Sequence, residues 1–293
     1  MSVVINTNVD SIKIGNNLNR ATSAMSTSMQ RMSTGMKINS AKDDAAGSVI
    51  SARMSVQISG NKIAQQNVQN GNSLLTTAEG NLDVIQENLS RIRDLTLQAK
   101  NGTYSGDELK AMQDEVDERM AEIDRINTSA KFSEISLFND ASGIGTNGIT
   151  FQVGANSDAD NTITAKAGIF EAVNFSALTE VAKSDFKLVE GTDGAYTRAD
   201  DDEYVTLLEG VDSAIDNITA RKSLIGSAQN RLDSALNTLT VQYENLSSAK
   251  SVITDSDIAS ESSAYTQKLI LQQVSTALLA EANQAPSIAL SLI

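Results

Sequence analysis

Few residues in this chain can do chemistry, and the absent types narrow the choice first. There is no His and no Cys among the 293 residues. Without imidazole there is no Ser-His-Asp relay, no HExxH zinc site and no ordinary proton shuttle near neutral pH. Without thiols there are no disulfides, thiolate metal sites or cysteine nucleophiles. Carboxylates remain. Asp43 and Asp44 are adjacent, and paired carboxylates can serve as acid and base. Neighbouring helical residues point apart, however, so the pair reads as a helix start, where negative charge complements the dipole. Asp200, Asp201, Asp202 and Glu203 offer oxygen ligands to a cation such as calcium. They lack the alternating Asp, Asn and Gly spacing of a calcium loop and read as a solvated charge run. Met25, Met29, Met32 and Met36 would suit a soft, adaptable surface, and at helical spacing they fit interface packing. The chain is read as a non-enzyme with no cofactor and no metal.

The elements that must position these side chains follow from composition and periodicity. Aromatic residues are only 4% and Trp is absent, which favours thin helical bundles over a bulky core. Pro occurs once, at position 286, where average usage predicts about 15, so long uninterrupted helices are permitted. The net charge of -14, with no basic run, removes the attraction that supplies most nucleic-acid affinity. No stretch approaches the roughly 18 apolar residues of a membrane span. Residues 1–10 lack the basic and apolar regions of a cleaved signal peptide, so export, if it occurs, bypasses that route.

Ile14, Leu18, Ala21, Met25, Met29, Met32 and Met36 mark one helix face. Gly35 weakens that helix, and Ser40 with Asp43 resembles a capping box opening the next. Val68, Leu75, Ala78, Leu82, Ile85, Leu89 and Ile92 hold a heptad spacing, interrupted only by Gly71, over a helix of about 50 residues. A turn at 101–106 and a capping box at Ser105 and Glu108 lead into a third helix with the face Leu109, Met112, Val116, Met120 and Ile123, antiparallel to the second. Alternation at Ile149, Phe151 and Val153, and again at Ile163, Ala165 and Ala167, predicts a β-hairpin. Residues 157–203 hold eleven acidic and four basic residues and read as a small, solvated, outward-facing β-rich insertion. From Leu208 to Ile253 apolar positions step by three and four, through Val211, Ile215, Ile218, Lys222, Ile225, Gln229, Leu232, Leu236 and Leu239, as a coiled-coil partner. A last helix carries Leu271, Val274, Leu278 and Ala282 before Pro286.

The expected fold is mainly α: a long antiparallel helical coiled-coil rod with terminal helices and a small central β-rich insertion. Both ends are apolar and poor in charge, and an isolated pair of such helices is marginal in water, so the ends should seek partners. The expected polymerisation interface is Ile14, Leu18, Met25, Met29, Met32, Leu271, Val274, Leu278 and Ala282.

Several runs resemble bacterial flagellin. At the N-terminal end they are VINTN (4–8), INSAKDDAAG (38–47), NVQNGNSLLTTAEG (67–80), RIRDLTLQAKNGT (91–103) and EIDRI (122–126). At the other end they are GSAQNRLDS (226–234), LILQQ (269–273) and LLAEANQAPSIALSL (278–292). Eight runs in the right order at both ends are specific to the family and cover about 1–156 and 205–293. The resemblance implies an inner filament layer from residues 1–44 and 254–293, surrounded by rod segments 45–156 and 204–253, with a short variable insertion at 157–203. It implies an extracellular filament subunit that polymerises with itself for swimming motility. It also implies type III export without a cleaved signal peptide, an export chaperone on the C-terminal helix, and cap and hook-junction proteins as partners. Arg91, Leu95 and Glu115 match the patch that a flagellin-sensing Toll-like receptor recognises; the alternative is a solvated helix face for Arg91 and Glu115 with Leu95 in the seam. After Phe132 the family commonly has Asn-Gly, whereas here Ser133 and Glu134 follow, so that turn should differ. The rival readings are a hook-filament junction protein and another secreted coiled-coil interaction protein.

Overall fold

Two helices carry over a third of the chain. The computed structural model describes residues 7–138, 143–190 and 197–290, and the expectations that fall on 1–6, 191–196 and 291–293 lie outside the described residues. Helix α1 spans Val9–Thr34 and α2 spans Ala45–Lys100. With 56 residues and no proline, α2 is about 84 Å long at ~1.5 Å per residue. Helix α3 spans Gly106–Ser129, α4 Ile144–Asn147, α5 Phe175–Thr179, α6 Asp201–Thr254 and α7 Ile258–Leu290. Among the described residues, six short strands form three antiparallel pairs: β1 Lys131–Phe132 with β2 Ile135–Ser136, β3 Ile149–Gln152 with β4 Thr162–Ala165, and β5 Val189–Glu190 with β6 Thr197–Arg198. The chain divides into two units, Met1–Ile58 with Glu244–Ile293, and Ser59–Tyr243.

In the unit 59–243 the heptad face of α2 is fully buried, as its spacing predicts: Val68, Leu75, Ala78, Leu82, Ile85, Leu89 and Ile92. Leu109, Val116, Met120 and Ile123 of α3 join them. Helices α2 and α6 run antiparallel in a single register. Gln65 reaches Thr240 (3.4 Å), Asn72 reaches Asp233 (2.8 Å), Gln229 reaches Thr76 (3.4 Å), Lys222 reaches Asp83 (2.5 Å) and Arg93 reaches Asp212 (2.5 Å). The α6 stripe differs from the expectation in one of its two columns. Val211, Ile218, Ile225, Leu232 and Leu239 are buried, whereas the second column is Leu207, Ala214, Arg221 and Ala228. The expected Lys222 and Gln229 lie beside the seam and bond across it. Small alanines let other elements approach α6 closely, and their burial leaves little trace in a search for large apolar residues.

The predicted hairpin forms, with Phe151 opposite Ile163. Gly71 of α2 lets it dock closely: a Cβ there would stand 3.0 Å from the Phe151 ring, which would have to shift by a few tenths of an ångström. Asn67 also donates to the Gln152 carbonyl (3.3 Å). The β1–β2 turn at Ser133 and Glu134 is made with Ser133 at φ 56, the left-handed region that Asn or Gly would occupy more easily.

The segment 157–203 departs from the solvated insertion its charge suggests. Phe170, Val173, Phe175, Leu178, Phe186 and Leu188 are all buried, with the Phe175 and Phe186 rings edge to face at 5.1 Å. Four polar side chains from α3 and α6 pin its backbone. Asn127 accepts from Val173 N (3.0 Å) and Asp124 from Phe175 N (3.1 Å). Gln113 of α3 accepts from Leu188 N (2.6 Å) and donates to the Phe186 carbonyl (3.1 Å). Arg221 of α6 is buried and donates to the Glu171 carbonyl (2.7 Å). Burial lowers its pKa, opposed by the Glu171 carboxylate.

Helix starts also differ in detail. Asp43 accepts from Ser40 N (2.9 Å) and Asn39 N (3.1 Å), closing a turn, while Asp44 accepts from Gly47 N (2.9 Å) and starts α2. Ser40 thus precedes the helix without capping it. At α3 the expected box is present, with Glu108 accepting from Ser105 N (2.7 Å). That bond favours the ionised carboxylate and holds Glu108 below its ordinary pKa of 4.5. A depressed folded pKa stabilises fully above the unfolded value and fades as pH falls through the folded one. Amide exchange at Ser105 should therefore stay protected at pH above the ordinary 4.5 and lose protection as pH falls through the lower folded value. Glu108→Gln should remove that pH dependence; an unchanged pH profile in the variant would contradict the assignment.

Candidate functional site

The unit formed by Met1–Ile58 and Glu244–Ile293 brings α1 and α7 together. Asn8 caps α1 by accepting from Ser11 N (3.0 Å). Gly35 closes that helix in the left-handed conformation (φ 69), donating to the Arg31 carbonyl (2.8 Å). Beyond Gly35 the chain joins the α6–α7 junction. Ser256 N donates to Gly35 O (2.9 Å), Lys37 N donates to Thr254 O (2.6 Å), and Met36 and Asp255 form an antiparallel bridge.

From that joint α1 and α7 run antiparallel. Arg31 pairs with Glu261 (3.1 Å), Gln272 donates to Thr22 (3.3 Å), Ser11 donates to Asn283 (2.9 Å), and Asn8 donates to the Ala282 carbonyl (2.7 Å). On α1 the expected face turns towards this seam. Ile14, Leu18, Met25 and Met32 are half-buried, with Ala21 and Ser28 buried between them. Met29 points outward, 49% exposed.

On α7 the expected stripe lies mostly away from α1. Leu271, Val274 and Leu278 are 44%, 48% and 52% exposed, and only Ala282 is half-buried. The stripe that meets α1 includes Glu261, Gln272, Leu279 and Ala282, and its polar members hid it from a search for apolar spacing. Helix α7 thus carries two stripes, a mixed polar and apolar one and a wholly apolar one. The first is covered by α1, and the second, extended by Ile270, is bare. A contiguous exposed apolar face of this kind marks an interaction surface.

The second set of site residues lies in the other unit. Arg91 and Glu115 form a bidentate pair at 2.7 and 3.0 Å between α2 and α3, which raises the Arg91 pKa and lowers that of Glu115. Leu95 is 2% exposed and belongs to the core, so only two of the three reach the surface. The acidic run at 200–203 opens α6, where Asp200 N donates to Glu203 (3.3 Å) and Arg198 pairs with Asp201. Among the described residues no group of three or more carboxylates could hold a metal ion, and no helix is long and apolar enough to cross a membrane.

Comparison with known proteins matches both ends of the chain. The family model of the bacterial flagellin N-terminal helical region matches residues 5–143, and that of the C-terminal helical region matches residues 208–293. A flagellin of Bacillus subtilis (strain 168) is 36% identical over 304 residues, spanning 99% of each chain. A flagellar filament 33 kDa core protein of Treponema phagedenis is 34% identical, over 99% of this chain and 100% of its own. The crystal structure of Bacillus cereus flagellin aligns with 63% of this chain and 94% of its own at 30% identity, with a TM-score of 0.45.

Proposed function

This chain belongs to the bacterial flagellin family, and we propose that its copies polymerise through the bare apolar faces of α1 and α7. Its function is structural: it is a subunit that polymerises into the extracellular flagellar filament used for swimming. The observation that carries the interface is the wholly apolar stripe of α7, where Ile270, Leu271, Val274 and Leu278 stand about half exposed in the single chain. Burying each such side chain in a neighbour contributes about 1 kcal/mol or more, repeated at every subunit. Ile14, Leu18, Met25, Met32 and Ala282 hold α1 against α7 and present that face, and Met29 extends it.

The finer partners belong to the same reading. The subunit leaves the cell without a cleaved signal peptide, an export chaperone covers the apolar C-terminal helix beforehand, and cap and hook-junction proteins meet the same surfaces at the filament ends. Recognition by a flagellin-sensing Toll-like receptor would rest on Arg91 and Glu115, with Leu95 supporting them from the core. No catalytic role is proposed. Electron microscopy of the full chain in a precipitating salt, seeded with sheared filament fragments, tests the reading. Long uniform filaments are expected. A single closed ring would point to a junction protein, and absence of any polymer under all seeding conditions would remove the proposed interface.

A further inference from the structure

Pro286 lies inside α7, which continues as helix to Leu290. Proline has no backbone N–H, so the carbonyl four residues earlier, that of Ala282, loses its α-helical donor. That same carbonyl receives the side-chain amide of Asn8 at 2.7 Å. The Asn8 side-chain oxygen meanwhile accepts from Ser11 N (3.0 Å) and caps α1.

We infer that Asn8 is a positioning residue that supplies the hydrogen bond Pro286 removes, and so locks α1 and α7 in register. Among good capping residues Ser, Thr, Asp and Asn, only Asn carries a donor and an acceptor on separate atoms. Either of the other carboxyl or hydroxyl types could cap α1, but none could cap it and reach across to α7 in the same way. The absent N–H marks a place ahead of the last turn of α7 where a side chain from α1 is wanted, because the helix interior otherwise consumes its own carbonyls. The adjacent bond from Ser11 to Asn283 (2.9 Å) fits the same register and no other.

This inference rests on the reading that the terminal helices form the assembly layer, and filaments are where it is measured. Four full-length chains are compared by their thermal depolymerisation midpoints: the parent, Asn8→Ser, Pro286→Ala and the double variant. Serine keeps the cap and removes the reaching amide. Alanine at 286 restores the N–H that satisfies Ala282. Asn8→Ser should lower the midpoint by several degrees, or prevent assembly, in the presence of Pro286. In the Pro286→Ala background the same change should cost less than half as much, or assembly should return. Equal losses in both backgrounds, no rescue, or failure of Pro286→Ala alone to assemble would overturn the lock. Absence of filaments from the parent chain would instead count against the assembly reading itself.

Discussion

Replacing Val274 and Leu278 together with Asp abolishes filaments and leaves the unit 59–243 folded: that is the largest effect expected for this chain. Both side chains are about half exposed, so the single chain tolerates carboxylates there. In a polymer those carboxylates would be buried against a neighbour's apolar face without partners, at several kcal/mol each. Repetition at every subunit makes the loss complete. Neither residue lies in the unit 59–243, whose core is built from α2, α3, α6 and the segment between them. Sedimentation and electron microscopy report assembly, while amide exchange across residues 64–239 reports the core. Persistence of filaments would remove this face from the interface. Lost protection in the core would show that folding, and not assembly, had failed.

The second large effect concerns Gln113→Ala. Its side-chain amide satisfies both a buried N–H, that of Leu188, and a buried carbonyl, that of Phe186. Truncation leaves both groups without protein partners, and an orphaned buried polar group costs about 1–3 kcal/mol. The expected destabilisation of the unit is therefore about 3 kcal/mol. Gln113→Glu should be at least as costly, since it keeps the acceptor for Leu188 N but sets a buried carboxylate against the Phe186 carbonyl and Asp117. Denaturant unfolding followed by helical circular dichroism, with exchange at the Leu188 amide, measures both. A change below about 0.5 kcal/mol, the range of ordinary surface substitutions, would mean that the clamp does not hold the segment.

Much of the fold is legible in the residues because long helices advertise themselves by period. The α2 and α3 faces and the β3–β4 hairpin follow from spacing alone, since large apolar residues occupy nearly every inward position. Legibility fails where burial is achieved by small or polar side chains. Ala214, Ala228 and Arg221 hide half of the α6 stripe, and Gln272 hides the α7 stripe that meets α1. The segment 157–203 misleads for a different reason. Its charges dominate any count, while Phe170, Phe175 and Phe186 follow no period, and their backbone is held by Gln113, Asn127 and Arg221 from distant helices. Such long-range polar pins have no local signature. The Pro286 and Asn8 relation is of this kind: each residue is ordinary at its own site, and only their juxtaposition has meaning.

The cross-helix bonds of α2 and α6 bear on how the chain avoids mispairing. An apolar seam that repeats every seven residues is nearly indifferent to a slip of seven, because each knob finds an equivalent hole. The flanking polar pairs are not indifferent. Slipping α6 by seven residues in one direction sets Glu79 against Asp233, and in the other leaves Arg93 opposite Val205. Either error also separates Lys222 from Asp83. These contacts, individually weak at the surface, act as a combination lock with a single setting: a newly arrived chain can slide along its own seam, and only one alignment satisfies every pair.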